Sequence, residues 1–404
     1  MKILSAITLL IGLLVRSQSL AATFYVATTG NDSNTCAQAQ NPSTPKRNIM
    51  GASNGLACLQ SDKADRLEIR GGTYNEIISN QSQKYPSATS YTNAATIASY
   101  PGETATVFGV GAQGNASYMI FERLHVTGPT TFEVSNLPDT IFLGDTSNHI
   151  KFVNMNVEGG ANVVQIGPDS SSNWFVGGEY HDNGDLSAGT WKFSPGYAFY
   201  NNGSDNIFEN LKIYNIRGYG IHNYSGYTQK PSRNIYRNIE LSNNCMGSPF
   251  FPRGVDSEAA IIVASGDSNE VYNSIVRDGA CHGIQVYHAT NTKLYNNTIT
   301  GNAQSAINLI NATGSVIKNN ILYGNSSAAY LFTSHTGTTF GNNLCGSPGT
   351  GCAVVGDPLF ADPVSRGLAP LLGSPAIGAG TPYIDANISL PFVPDIGAML
   401  DLIR

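Results

Sequence analysis

The sequence predicts an all-β solenoid: a single-stranded parallel β-helix with an N-terminal helical cap and an irregular C-terminal cap. Three observations predict it. The first is a repeat. Val271-Tyr272-Asn273-Ser274-Ile275, Leu294-Tyr295-Asn296-Asn297-Thr298, Ile317-Lys318-Asn319-Asn320-Ile321 and Thr339-Phe340-Gly341-Asn342-Asn343 share a pattern of apolar, variable, polar, Asn or Ser, then mostly apolar. With Ser274, Asn297, Asn320 and Asn342 equivalent, the steps are about 23, 23 and 22 residues. The second is a further run in phase with it, since Gly283-Ile284-Gln285-Val286-Tyr287 answers Ala306-Ile307-Asn308-Leu309-Ile310. Two short β-rich runs per period leave no room for a helix and describe one coil. The third is the recurring Asn, whose side chain bonds to the next rung and tolerates the left-handed conformation.

Earlier copies join the array once insertions are allowed. Ile120 to Leu124, Phe175 to Glu179, Ile207 to Leu211 and Ile235 to Ile239 repeat the pattern, with a weaker copy around Asn154. The equivalent positions are read as 123, 154, 178, 210, 238 and 274, a period of roughly 24 to 36 residues. Coils stacked about 4.8 Å apart bury a continuous apolar rod. About ten or eleven coils follow, whereas a propeller blade needs roughly twice this period.

Residues 1–21 read as a signal peptide: Lys2, an apolar run from Ile3 to Val15, then Ser19-Leu20-Ala21. That run is too short to span a bilayer comfortably, so no stable membrane insertion is expected and the mature chain is placed outside the cell or in a periplasm. Residues 22–62 form the expected N-terminal cap, with Phe24-Tyr25-Val26-Ala27 a strand and Thr44 to Met50 the start of a short capped helix. Residues 63–346 carry the coils and 347–404 a Pro- and Gly-rich cap or wrap-around tail. Six cysteines suit an exported chain, and the pairing adopted from fifteen possibilities is Cys36 with Cys58, Cys245 with Cys281, and Cys345 with Cys352. Only 12% of residues are charged, and the net charge of -6 excludes a nucleic-acid binder and supplies no basic field for membranes.

Several segments carry a family resemblance. They include Phe24 to Asp32, Ile69-Arg70-Gly71-Gly72-Thr73-Tyr74, the Gly220-Ile221-His222 and Gly283-Ile284-Gln285 strands, Gly356 to Pro363, Gly373 to Gly380 and Asp395-Ile396-Gly397-Ala398. On these motifs the chain resembles the secreted right-handed parallel β-helix proteins of the pectate-lyase superfamily over nearly its whole mature length. The resemblance implies the right hand, in keeping with the general rule for parallel crossovers. It implies no single reaction, because members include polysaccharide lyases, glycoside hydrolases, uronan epimerases and binding proteins. Function has to be argued from a site.

Uneven coil lengths locate that site. Insertions at 185–257 lengthen three consecutive turns, and loops on a rigid scaffold are where binding groups gather. Trp191, Tyr197, Tyr200 and Tyr227 lie there, with Gln285, Tyr287 and His288 a coil or so away, as substrate-binding candidates whose rings can stack on sugars. Aligning the Gly-Ile strands makes Tyr200, His222, Ile262, Gln285 and Asn308 equivalent, and alternation turns all of them outward. In a lyase a base removes the C5 proton beside a uronate carboxylate. His222, Tyr224 or Lys230 is the candidate base, and Arg233 or Arg253 the carboxylate clamp.

In a glycosidase, two of Asp182, Asp185, Asp256 and Glu258 would act as the carboxylate pair. Asp256, Glu258 and Asp278 are the oxygen ligands available to Ca²⁺, the one cofactor this reading admits. Calcium-dependent relatives often use Lys or Arg as base, and this chain lacks such a Lys with several Asp in one strand register. The expected partner is a polysaccharide or oligosaccharide, acidic in the lyase reading, bound by a monomer. Non-catalytic carbohydrate binding is the third expectation, since it needs the aromatic groove but no tuned acid or base.

Overall fold

A computed structural model describes residues 21–81, 83–128, 139–183, 196–226, 228–247, 259–362, 367–384, 389–390 and 395–398. Alternating apolar residues in short runs form parallel strands, and the chain turns three corners per coil to lay down three sheets.

The first sheet holds twelve strands among the described residues, from Thr23–Val26 and Arg66–Ile69 to Val316–Lys318 and Thr339–Phe340. The second sheet runs through His125–Thr127, Lys212–Tyr214, Glu240–Ser242 and Ile275–Arg277 to Leu344–Cys345. The third runs through Ile141–Leu143, Val164–Ile166, Phe199–Asn201, Ile221–Asn223, Ala259–Ala264, His282–Tyr287 and Ile307–Thr313 to Tyr330–Thr336.

Inward residues stack on their counterparts one coil away. Phe121, Phe152, Phe175, Phe208 and Tyr236 form a column with ring centroids 4.7–5.3 Å apart and planes within 14° of parallel. All five are buried. This column excludes water and fixes register together, because a slip of one residue would turn every ring to solvent.

The two duties expected of a single Asn are divided between neighbouring positions. Asn154, Asn210, Asn238, Asn273, Asn296 and Asn319 take positive φ of 49–57°, as does Arg123, at the corner between the first and second sheets. The next position inward carries the ladder. The backbone N–H of Asn297 donates to Asn320 Oδ1 at 2.9 Å, and that of Asn320 donates to Asn343 Oδ1 at 3.0 Å. Two registers therefore differ from expectation. Asn343 rather than Asn342 answers Asn320, so the last step is also 23 residues. At the corner, Gly177 and Asn273 replace positions 178 and 274, because Phe175 aligns with Phe208 and Tyr236 with Val271.

The expected N-terminal helical cap is absent. The α-helix there is the four residues Cys36–Ala39, and Leu56–Cys58 make one 3₁₀ turn. Thr44 to Met50 does not coil, because Lys46 bridges Val26 in parallel: its N–H donates to Tyr25 O and its carbonyl accepts from Ala27 N, both at 2.9 Å. That stretch satisfies the open edge of the first strand, a duty a helix cannot perform. At the other end the tail lies along the same corner. Asn296, Asn319 and Asn342 donate their side-chain amides to the carbonyls of Asp395, Thr381 and Ala379. Disulfides join Cys36–Cys58, Cys245–Cys281 and Cys345–Cys352, as expected.

Candidate functional site

The third sheet presents one outward column, Ser79–Gly111–Phe142–Gln165–Tyr200–His222–Ile262–Gln285–Asn308–Leu331, each residue paired with the next. Tyr200, His222, Ile262, Gln285 and Asn308 thus share the register read from the Gly-Ile strands. In sequence, 129–138, 184–195 and 248–258 each precede a strand of this sheet, the strands of Phe142, Tyr200 and Ile262. Those stretches lie outside the described residues, and with them Asp185, Trp191, Arg253, Asp256 and Glu258; Tyr227 is also outside.

His222 sits among four tyrosines. Its ring is stacked on Tyr200 at 5.0 Å and on Tyr224 at 5.2 Å, and meets Tyr197 and Tyr219 edge-on at 4.7 and 4.8 Å. Pairing sets the first contact, and alternation along the strand sets the second. Nδ1 is buried without a hydrogen-bond partner. Loss of hydration with nothing to replace it disfavours the charged imidazolium and pulls the pKa down to about 3. The ring is therefore neutral across the usual assay range.

Beyond His222 the face closes. Ile262, Gln285 and Asn308 are buried, and Asn308 donates its side-chain amide to Gln285 Oε1 at 3.1 Å. Tyr287 is exposed and meets His288, whose Nε2 lies 3.0 Å from Asn311 Nδ2.

In the other direction the face opens into a cavity of 810 Å³ lined by Ile77, Phe108, Phe142, Asp139 and Thr140. Burial raises the Asp139 carboxyl to about 6, although Asn162 Nδ2 donates to it at 2.8 Å. Asn162 Oδ1 accepts the backbone N–H of Tyr197, which ties this cleft to the tyrosine cluster. Sequence reasoning passed over the cleft. Ile77, Phe108 and Phe142 are apolar and look like core, and the one available signal was the long step from 123 to 154.

The remaining candidates lie apart from this column. Lys230 donates to the Ser225 carbonyl at 2.8 Å. Arg233 forms two 2.7 Å bonds with Asp205, which raises its pKa. Asp278 accepts from Arg277 Nη1 at 2.6 Å. Asp182 stands on the second sheet beside His181 and Glu158, the metal-competent cluster among the described residues. Its carboxylates offer the oxygen ligands that Ca²⁺ takes. The outward column of the third sheet, as named above, carries no carboxylate of its own among the described residues, and the predicted calcium ligands Asp256 and Glu258 lie outside them.

Residues 199–358 match the family model described as "Right handed beta helix region". A crystal structure of pectate lyase Pel9A is similar over 94% of this chain and 96% of its own, with a TM-score of 0.67 at 16% identity. The chain is a right-handed parallel β-helix. Two further solved structures resemble the β-helix less closely. The Azotobacter vinelandii mannuronan C-5 epimerase AlgE6 A-module covers 70% of this chain and 85% of its own, at 12% identity and a TM-score of 0.46. The GH87 α-1,3-glucanase catalytic domain covers 73% and 60%, at 14% identity and a TM-score of 0.44. A search of curated proteins finds no match. The β-helix thus shares its fold with the pectate lyase.

Proposed function

We propose that this β-helix is an exported polysaccharide-active enzyme that binds a glycan along the outer face of the third sheet, from the Phe142 cleft to His222. The observation that carries the reading is His222, neutral, enclosed by four tyrosines and with a buried nitrogen lacking a partner. An unsatisfied buried nitrogen is costly in a resting structure, and a ligand that supplies its partner recovers that cost.

The reaction proposed is β-elimination on a uronate-containing chain. His222 takes the C5 proton, the C5–H electrons form the C4–C5 double bond, and the C4–O4 bond breaks. The Tyr224 phenol, stacked on the imidazole, supplies a proton to the departing O4. At a pKa of about 3 His222 is a weak base in the free protein. A uronate carboxylate placed beside it favours the imidazolium, so the substrate itself strengthens its base. The likeness to a pectate lyase supports an acidic glycan.

The test is a panel of uronans and neutral glycans, following both ultraviolet absorbance of unsaturated ends and new reducing sugar. Unsaturated ends that vanish in His222→Ala, with polymer binding kept, are the expected result; full turnover in that variant removes His222 from the mechanism. Asp139 favours a second reading. A carboxyl raised to about 6 keeps its proton in mildly acidic solution and suits a general acid in glycoside hydrolysis. Reducing sugar without unsaturation, lost in Asp139→Asn, would select it.

A further inference from the structure

A second site lies on the second sheet, and its argument is independent of the glycan reading. Glu158 and His181 face each other across one rung, and Asp182 follows in the left-handed conformation with φ of 46°. His181 Nδ1, a Glu158 oxygen and an Asp182 oxygen all lie within 4.8 Å of one another. Nδ1 is 2.7 Å from Asp182 Oδ2 and 4.0 Å from Glu158 Oε2.

Orientation of the imidazole gives the cluster its meaning. Its other nitrogen, Nε2, lies 2.8 Å from Asn156 Oδ1, an oxygen that accepts in the tautomer carrying the hydrogen on Nε2. In the neutral ring Nδ1 then directs a lone pair at two carboxylates. Lone pair and carboxylate repel at that distance unless a positive charge stands between them. Neither carboxylate has a Lys or Arg partner among the described residues. Neighbouring acids on the same sheet do have one: Glu179 meets Lys212, and Glu240 meets Arg277.

The surroundings hold the three groups in place. Tyr214 lies flat on His181 at 4.7 Å and 2°. His125 Nε2 meets Glu158 Oε1 at 3.0 Å, while its Nδ1 is engaged by Thr106 Oγ1 at 3.2 Å. A ring nitrogen anchored to a carbonyl oxygen and a carboxylate held by a second group are the outer supports that metal ligands commonly show.

We infer that His181 Nδ1, Glu158 and Asp182 bind one divalent cation of the zinc type, with an open position for water. The imidazole nitrogen selects this class over Ca²⁺, which prefers an all-oxygen set. Glu158 and Asp182 side chains are 36% and 50% exposed, so the ion enters from solvent.

The test uses the full mature chain without a histidine tag, stripped with chelator and titrated calorimetrically with ZnCl₂ and, separately, CaCl₂. One Zn²⁺ per chain is expected, with Asp182→Asn and Glu158→Gln each weakening it by roughly 10- to 100-fold. These near-isosteric variants keep the shape of the fold, which circular dichroism checks. His181→Gln should abolish binding. No Zn²⁺ uptake, uptake unchanged in all three variants, or Ca²⁺ bound in preference to Zn²⁺ would each overturn the site.

Discussion

At the scale of single residues, His222 links burial to pH. Its folded pKa of about 3 lies below the unfolded value of about 6.5, so the unfolded chain binds the extra proton between them. The stability this ring allows is complete above about pH 6.5 and falls as pH drops toward about 3. His222→Phe keeps a ring in the tyrosine cluster and removes the titration. Its melting temperature is expected to fall less than that of the native chain between about pH 6.5 and 4. Equal slopes for the two proteins would show that His222 is hydrated. Asn320 offers a different test, since it is buried and both accepts from Asn297 and donates to Asn343 Oδ1 at 2.9 Å. Asn320→Ala strands these partners and should cost about 1–3 kcal/mol in denaturant unfolding.

Elements show how much could be read beforehand. The register joining Tyr200 to Asn308 was legible because a small residue before an apolar one, as in Gly220-Ile221, Gly283-Ile284 and Ala306-Ile307, marks the same point in each strand. Adjacent polar residues blurred the corners. Asn342-Asn343 and Gly177-Gly178 each offer two residues able to turn, and only pairing with Ile317 or Phe208 decides which one does. Asp182 was legible as a flanking acid but not as a neighbour of Glu158, which lies one coil away. The Phe142 cleft was hidden because an outward apolar residue reads as core. The stacked ring column belongs to this scale too. Phe175→Ala removes its middle member and should cost about 3–5 kcal/mol. Hydrogen exchange should quicken first in the strands of Phe152 and Phe208, which lie against it.

The whole molecule behaves as a stack in which each coil meets only its neighbours. The regular section offers a direct trial. Removing one complete 23-residue unit, 297–319, brings Ser274 against Asn320 and preserves both the left-handed corner and the inward ladder. That shortened chain should fold with a cooperative melt. A deletion one residue shorter reverses the faces of the strands that follow, and should yield an aggregated product at the same expression level.

The plugged ends bear on how the protein lives in concentrated solution. Any solenoid built of parallel rungs could accept another copy of itself at either end and grow into a filament. Lys46 occupies the leading edge, and past the last coils Phe360–Asp362 and Gly367–Pro370 pair antiparallel, a sense that a parallel rung cannot continue. Replacing Lys46 by Pro would unlatch the leading edge, and light scattering would then report head-on polymerisation of otherwise intact molecules.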